Sequence, residues 1–242
     1  NAAKQPPSRM GYKPGSVLTL DNALKIMLVK SANDIAVAVG ETVGAKNYTN
    51  LMNAEAKRLG MNGTHWVNAN GLHSAQHYST ARDLAVLAYA LRSQFPEYAS
   101  YFGIEAIKYD KQVERNYNIL LGRFAGADGM KTGFVCAAGY NLIASATQDG
   151  RTLIAVVLGA RSQEDRAEKA AALLAEGFAG TRAGSVALMD AKPEAGAKQG
   201  ATDMRGEVCI KGAQADQWDG RDVEGNMKIN SPYITAMARE PQ

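Results

Sequence analysis

Asp128-Gly129-Met130-Lys131-Thr132-Gly133-Phe134 is the stretch on which the fold of this chain is decided. From Gly129 onward the apolar residues take the period of strands: residues 130–135, residues 140–146, an Asp149-Gly150 turn, then residues 152–158. Three such segments predict an antiparallel meander with Lys131-Thr132-Gly133 on its first strand. On that strand Gly133 leaves room for a ligand backbone to approach, and Lys131 offers a cation to an anionic carboxylate beside the hydroxyl of Thr132. Ser162 then caps a helix with Asp165 at the capping-box position. Its Ala167, Ala170, Ala171, Leu174 and Phe178 share one side, suited to cover the sheet.

Upstream of the meander the pattern is helical. Asp21 caps a predicted helix whose Ala23, Leu24, Met27 and Leu28 share a face, and a second runs through Ile35, Ala36, Val37, Ala38, Val39 and Val43. A third spans residues 50–59 and is stopped by Gly60. After an irregular Asn- and Gly-rich connection over residues 61–78, Thr80-Ala81-Arg82-Asp83 has capping-box form and leads into an amphipathic helix that ends before Pro96. Residues 1–10 offer no helix start, and Tyr12-Lys13-Pro14-Gly15 is a turn followed by the strand-like alternation of residues 16–20. The predicted class is therefore α+β: a helical subdomain plus an antiparallel sheet covered by helices, over residues 1–179. Beyond them apolar density drops, and residues 180–242 read as a linker and poorly packed tail, with Val208-Cys209-Ile210 the one short strand-like piece.

Across 242 residues, 46% hydrophobic and 21% charged, the chain supports one substantial core plus an appendage. A net charge of +3 is far from the clustered basic footprint of nucleic-acid binders, so no nucleic-acid partner is assigned. The longest apolar stretch, residues 153–160, is too short to span a bilayer, and no basic-then-apolar leader stands at the start. Cys136 and Cys209 are either two unrelated buried thiols or one disulfide in an oxidising compartment. A bridge between them would stabilise by roughly 4 kcal/mol and tie the tail to the sheet.

One hundred positions before Lys131 stands Ser31-Ala32-Asn33, at the junction of the first two helices. Alone it reads as a pair of capping residues. Together with Lys-Thr-Gly it reads as chemistry, with Ser31 passing a proton and Asn33 donating its amide to a substrate carbonyl. These two elements, with Pro7-Ser8-Arg9-Met10-Gly11, Leu28-Val29-Lys30-Ser31-Ala32-Asn33-Asp34 and Asn70-Gly71-Leu72-His73, resemble the low-molecular-mass, penicillin-binding D-alanyl-D-alanine carboxypeptidases. The resemblance covers residues 1–180. It implies a DD-peptidase/β-lactamase-like fold and an exported, periplasmic or cell-envelope hydrolase. Such an enzyme removes the terminal D-alanine of peptidoglycan pentapeptides through an acyl-serine and is inhibited by β-lactams. By the same resemblance Ser31 and Asn33 assist proton transfer and positioning, while Lys131, Thr132 and Gly133 line the substrate strand. Arg166 then takes the substrate carboxylate by bidentate pairing. No cofactor or metal is expected, and His65, His73 and His77 read as structural.

The departure from the family is the nucleophile. None of the serines has lysine three residues on, whereas the family's Ser-x-x-Lys, with a central hydrophobic helix, lies upstream of the segment at which this sequence starts. The expectation is an N-terminally incomplete domain, inactive as an isolated chain, with apolar faces of the first two helices uncovered. Its missing partner would be the segment carrying the nucleophile. Two other readings compete. A serine β-lactamase would share the triplets, but its Glu-x-x-x-Asn loop is matched only by residues 114–118, too close to Lys131 and read as a polar lead-in to the sheet. A non-catalytic cell-wall peptide-binding remnant would keep the groove without the nucleophile.

Overall fold

The computed structural model describes residues 1–109, 111–180, 186–192, 200–210, 229 and 231–235. The first two apolar patterns fold as α1 (Leu20–Lys30) and α2 (Asn33–Gly44). Thr19, not Asp21, caps α1: its side chain accepts from the Asn22 amide. Asp21 lies in the first turn, where a carboxylate meets the positive end of the helix and pairs with Lys25. The alternation in residues 16–20 forms no strand. Val17 is 97% exposed and Leu20 opens α1, so the period of two there pairs with no neighbouring backbone.

Helices α3 (Tyr48–Arg58) and α4 (Ala81–Gln94) bury Ala56, Leu59, Met61, Val86 and Ala90 between them. Thr80 caps α4 by accepting from the Asp83 amide, but the Asp83 carboxylate does not complete a capping box. It accepts instead from the Gly63 amide and the Thr64 hydroxyl, which ties the irregular connection to the helix. After a short α5 (Ala99–Phe102), β1 (Ala106–Tyr109) and β2 (Gln112–Arg115) make a hairpin that packs on α1.

The meander forms as the sequence predicts, with longer strands: β3 (Ala127–Val135), β4 (Gly139–Gln148) and β5 (Arg151–Ala160), antiparallel in the order β3-β4-β5. Helix α6 (Gln163–Phe178) is capped by Ser162, which accepts from the Asp165 amide. Its Ala167, Ala170, Ala171 and Leu174 pack on Leu142, Ala144, Ala155 and Val157 of the sheet. Against the opposite face sit Ala88 of α4 and Phe102 of α5, which cluster with Met130 and partly buried Ile143 and Ile154. The sheet is thus held between α6 on one side and the helical subdomain on the other, and β3 is an edge strand facing the α1–α2 junction.

In the C-terminal part the strand-like piece Val208-Cys209-Ile210 forms no strand: Val208 ends a helical turn, α7 (Arg205–Val208), and residues 209–210 are bends. Three apolar-rich residues do not distinguish the two states, and here contacts decide. Cys209 is disulfide-bonded to Cys136, the Met204 amide donates to the Ala137 carbonyl, and Val208 is fully buried. A bridge across 73 positions stabilises by about 4 kcal/mol in the chain-entropy account. Ile234 joins the sheet core and the Thr235 amide donates to the Arg123 carbonyl. Most of the remaining stretch read as linker and tail lies outside the described residues. Among the described residues no helix is long and apolar enough to cross a membrane.

Candidate active site

Ser31 closes α1 in the left-handed conformation, φ 56° and ψ 38°. A residue with a Cβ pays for that conformation, and it breaks the helix so that α2 can start two residues later. The junction is stitched to the preceding loop by hydrogen bonds. The Asn33 amide nitrogen of the backbone donates to the Ser8 carbonyl at 2.8 Å, and Asn33 Nδ2 donates to the Pro6 carbonyl at 3.0 Å. Buried Asp34 accepts from the Met10 and Gly11 amides, and the Ser8 hydroxyl donates to the Lys30 carbonyl. These contacts give Pro7-Ser8-Arg9-Met10-Gly11 its physical role: it is the brace of the Ser31 corner. Lys30 adds an ion pair of 2.6 Å with Glu114 of β2.

Lys131 reaches this corner from β3. Its Nζ donates to Ser31 Oγ at 2.7 Å and to the Thr132 carbonyl at 2.7 Å. Burial, and secondarily the positive charge of Arg166, pull its pKa down to about 8. At neutral pH the ammonium still predominates, but a neutral amine is within easy reach. Thr132 is buried beside it and pairs across the ladder with Leu142. A Cβ on Gly133 would meet only the Asn141 Cβ, at 4.0 Å, so the chain's own packing does not demand glycine there. The space over Gly133 is open to something else.

Arg166, in the first turn of α6, is turned inward and is 3% exposed. It donates to the Tyr117 carbonyl at 2.9 Å, and its guanidinium lies 5.6 Å from the centre of the Tyr140 ring, which Phe134 stacks upon. Burial lowers its pKa to about 10, with Tyr140 and Glu164 opposing the shift. The solvated first-turn charge usual for such an arginine is not what the structure holds.

A cleft of about 480 Å³ opens beside Ser31, Asn33 and Lys131, walled mainly by apolar side chains including Met27, Leu28, Ala36, Leu59 and Trp66. Of the helix faces expected to lie uncovered, Met27 and Leu28 of α1 are half-buried, whereas Ala36 of α2 is buried. His77 also lines the cleft. Its Nδ1 accepts from the Val67 amide, and burial, with His65 nearby, lowers its pKa, so the ring is neutral and braces the loop. The structure thus joins Ser31, Asn33 and Lys131 at one corner, with Thr132 and Gly133 following along β3 and Arg166 held on α6 over the Tyr140 ring of β4. Cys136 and Cys209 lie at the far end of that strand. Sequence reading gave no role to Asn118 or Arg92. Asn118 is buried and its Nδ2 donates to the Gly129 carbonyl at 2.8 Å, next to the strand's lysine.

The depressed Lys131 pKa has a stability consequence. Because the folded value lies below that of the unfolded chain, the unfolded state binds more protons between pH 8 and about 10.5, and stability rises with pH in that window. We expect the Lys131→Met variant to lack this rise, so that urea-unfolding free energies of wild type minus variant climb by up to about 3 kcal/mol from pH 7.5 to 10.5. A pH-independent difference would show that Lys131 titrates normally in the fold.

A family model described as D-alanyl-D-alanine carboxypeptidase matches residues 2–162. Among curated proteins, the D-alanyl-D-alanine carboxypeptidase DacC of Escherichia coli (strain K12) is 37% identical over 181 residues, 74% of this chain and 45% of that protein. DacD of Salmonella typhimurium is 35% identical over 69% of this chain and 44% of its own length. The chain spans about half the length of these curated relatives. Among solved structures, the carboxypeptidase DacD of Francisella tularensis superposes with a TM-score of 0.70 at 32% identity, covering 73% of this chain and 56% of the other. Penicillin-binding protein D2 of Listeria monocytogenes, solved with ampicillin bound, gives 0.63 at 34% identity, covering 66% and 68%.

Proposed function

The chain belongs to the D-alanyl-D-alanine carboxypeptidase family, and from that premise we propose that it supplies the substrate strand and proton-transfer corner of a peptidoglycan carboxypeptidase. The observation that carries the reading is the 2.7 Å hydrogen bond from Lys131 Nζ to Ser31 Oγ, which joins the two halves of the fold across one hundred residues. In this reading a stem peptide ending in D-Ala-D-Ala lies along the edge strand β3, its backbone passing over Gly133. Its terminal carboxylate is held by the cationic Lys131, the Thr132 hydroxyl and Arg166. Asn33 positions the peptide through its side-chain amide.

The attacking serine belongs to a Ser-x-x-Lys element, which these 242 residues do not contain. Its hydroxyl gives its proton to the lysine of the same element, and the oxygen forms the bond to the penultimate D-alanine carbonyl carbon as the C–N bond breaks. The leaving nitrogen of the terminal D-alanine takes up a proton, delivered through Ser31 with Lys131 behind it, and water then hydrolyses the acyl-serine. We place the nucleophile-bearing segment in the apolar cleft beside Ser31, whose walls would otherwise face water. Without that segment the chain is catalytically silent. A peptidoglycan substrate and a structural disulfide both favour an exported, cell-envelope protein. β-Lactams, which mimic the D-Ala-D-Ala terminus, are the expected inhibitors.

The β-lactamase alternative is disfavoured by the positions of its only match. Glu114 is in an ion pair with Lys30, and Asn118 is buried beneath Gly129, so neither is poised to activate a deacylating water. The two activities separate in one assay on a polypeptide containing both a Ser-x-x-Lys segment and these residues. D-alanine release from a D-Ala-D-Ala pentapeptide is expected, together with trapping by a chromogenic cephalosporin. Rapid cephalosporin turnover without D-alanine release would refute the carboxypeptidase assignment.

A further inference from the structure

Lys131 acts across a gap between two bodies: it grows from the sheet, and its hydrogen-bond partner Ser31 belongs to the helical subdomain. A side chain with four rotatable methylenes does not fix that distance, so the backbone that carries it must be fixed. The residues directly before it are held unusually tightly. Asp128 receives a bidentate pair from Arg92 of α4, NH1 to Oδ1 at 3.0 Å and NH2 to Oδ2 at 2.9 Å. The Ser145 hydroxyl donates to Asp128 Oδ1 at 2.6 Å while accepting from Arg92 NH1 at 3.0 Å, and the Thr147 hydroxyl donates to Oδ2 at 2.6 Å. Asn118 takes the next carbonyl, that of Gly129.

Every one of these partners lies on a different element from β3: α4, β4 and the loop before the sheet. Ser145 is fully buried, and the Arg92 and Asp128 side chains are 17% and 32% exposed. The ion pair is therefore shielded enough for its fork geometry to set direction as well as charge. Gly129 has no room for a side chain, since a Cβ would sit 2.8 Å from Ser145 Oγ and 3.0 Å from Phe102 Cβ. β3 thus approaches α5 too closely at this point for any residue but glycine.

We infer that Arg92 and Asp128 are positioning residues that lock the sheet to the helical subdomain and so set the Lys131–Ser31 contact. The geometry stands on its own, while its catalytic meaning rests on the carboxypeptidase reading. The test uses the 242-residue chain and reads the titration of the Lys131 side chain by NMR, which needs neither substrate nor nucleophile. Loosening the lock lets water reach Lys131, and its midpoint moves up from about 8 toward the ordinary lysine value.

Two variants separate geometry from charge. Arg92→Lys keeps the charge but loses the fork, so a purely coulombic role leaves the midpoint unmoved, whereas positioning raises it by about one unit. Asp128→Asn removes an anion, which by charge alone lowers a lysine's pKa, whereas loss of positioning raises it. Ser145→Ala, which removes one uncharged contact to Asp128, serves if either variant fails to fold by circular dichroism, and is expected to move the midpoint in the same upward direction. Folded variants whose Lys131 midpoint stays at the wild-type value, or falls in Asp128→Asn, overturn the inference. Acylation by benzylpenicillin of a polypeptide that joins a Ser-x-x-Lys segment to these residues, measured separately, tests the carboxypeptidase reading and is independent of that titration.

Discussion

Replacing Lys131 by alanine is expected to lower acylation by benzylpenicillin, and D-alanine release from a pentapeptide, by roughly 10²–10⁴-fold in a polypeptide that also carries the Ser-x-x-Lys segment. The size follows from what one Nζ does in this site. It is the hydrogen-bond donor to Ser31 Oγ and, in the proposed reading, a cation that meets the substrate carboxylate along β3. Removing it deprives the leaving nitrogen of its proton route and the ligand of its charge partner together. Because the proton route matters only as the C–N bond breaks, most of the loss should fall on kcat rather than KM. The measurement is stopped-flow or rapid-quench acylation, with circular dichroism to confirm that the variant is folded. Activity within about threefold of wild type would remove Lys131 from the mechanism.

Leu142→Ala should cost about 3 kcal/mol of stability, within the 2–5 kcal/mol that buried leucines lose on truncation. Leu142 is 1% exposed, sits in the centre of the cluster between sheet and α6, and pairs across the ladder with Thr132. Its loss leaves a cavity in the layer between the sheet and α6, bounded by a helix and a sheet that cannot easily collapse into it. Urea unfolding of wild type and variant gives the value. A cost below about 1 kcal/mol would mean that the α6–sheet interface is loosely packed, contrary to the structure described above.

The elements with long, regular periods were legible in the sequence, and the short ones were not. The β3–β5 meander and α6 declared themselves because three successive strand-like runs separated by turn signals, and four helical turns with a Ser162 cap, leave few competing readings. The β1–β2 hairpin escaped because each strand is four residues long and rich in Lys, Gln, Glu and Arg, with little apolar alternation to read. Residues 16–20 gave the opposite error. They alternate well, but a strand needs a neighbour, and sequence does not say whether an edge is available.

At the site, Ser31 and Lys131 were legible as residue types in order. Their 2.7 Å contact was not, since the path of the chain through a hundred intervening residues sets it. Arg166 was placed correctly at the start of α6, but its inward turn onto the Tyr140 ring depends on packing. Arg92 and Asn118 carried no signal as positioning groups. An arginine late in an amphipathic helix and an asparagine in a loop are ordinary, and only their partners, Asp128 and the Gly129 carbonyl, make them more than that.

In the proposed reading these residues form one side of an acylating site whose serine lies in a Ser-x-x-Lys segment seated in the apolar cleft. Intact-mass spectrometry before and after benzylpenicillin, on the 242-residue chain alone and on the same chain joined to a family Ser-x-x-Lys segment, tests it most directly. A penicilloyl adduct is expected on the serine of the joined segment, and an unmodified chain when that segment is absent. A folded joined polypeptide that stays unmodified, or an adduct that maps to Ser31, contradicts it.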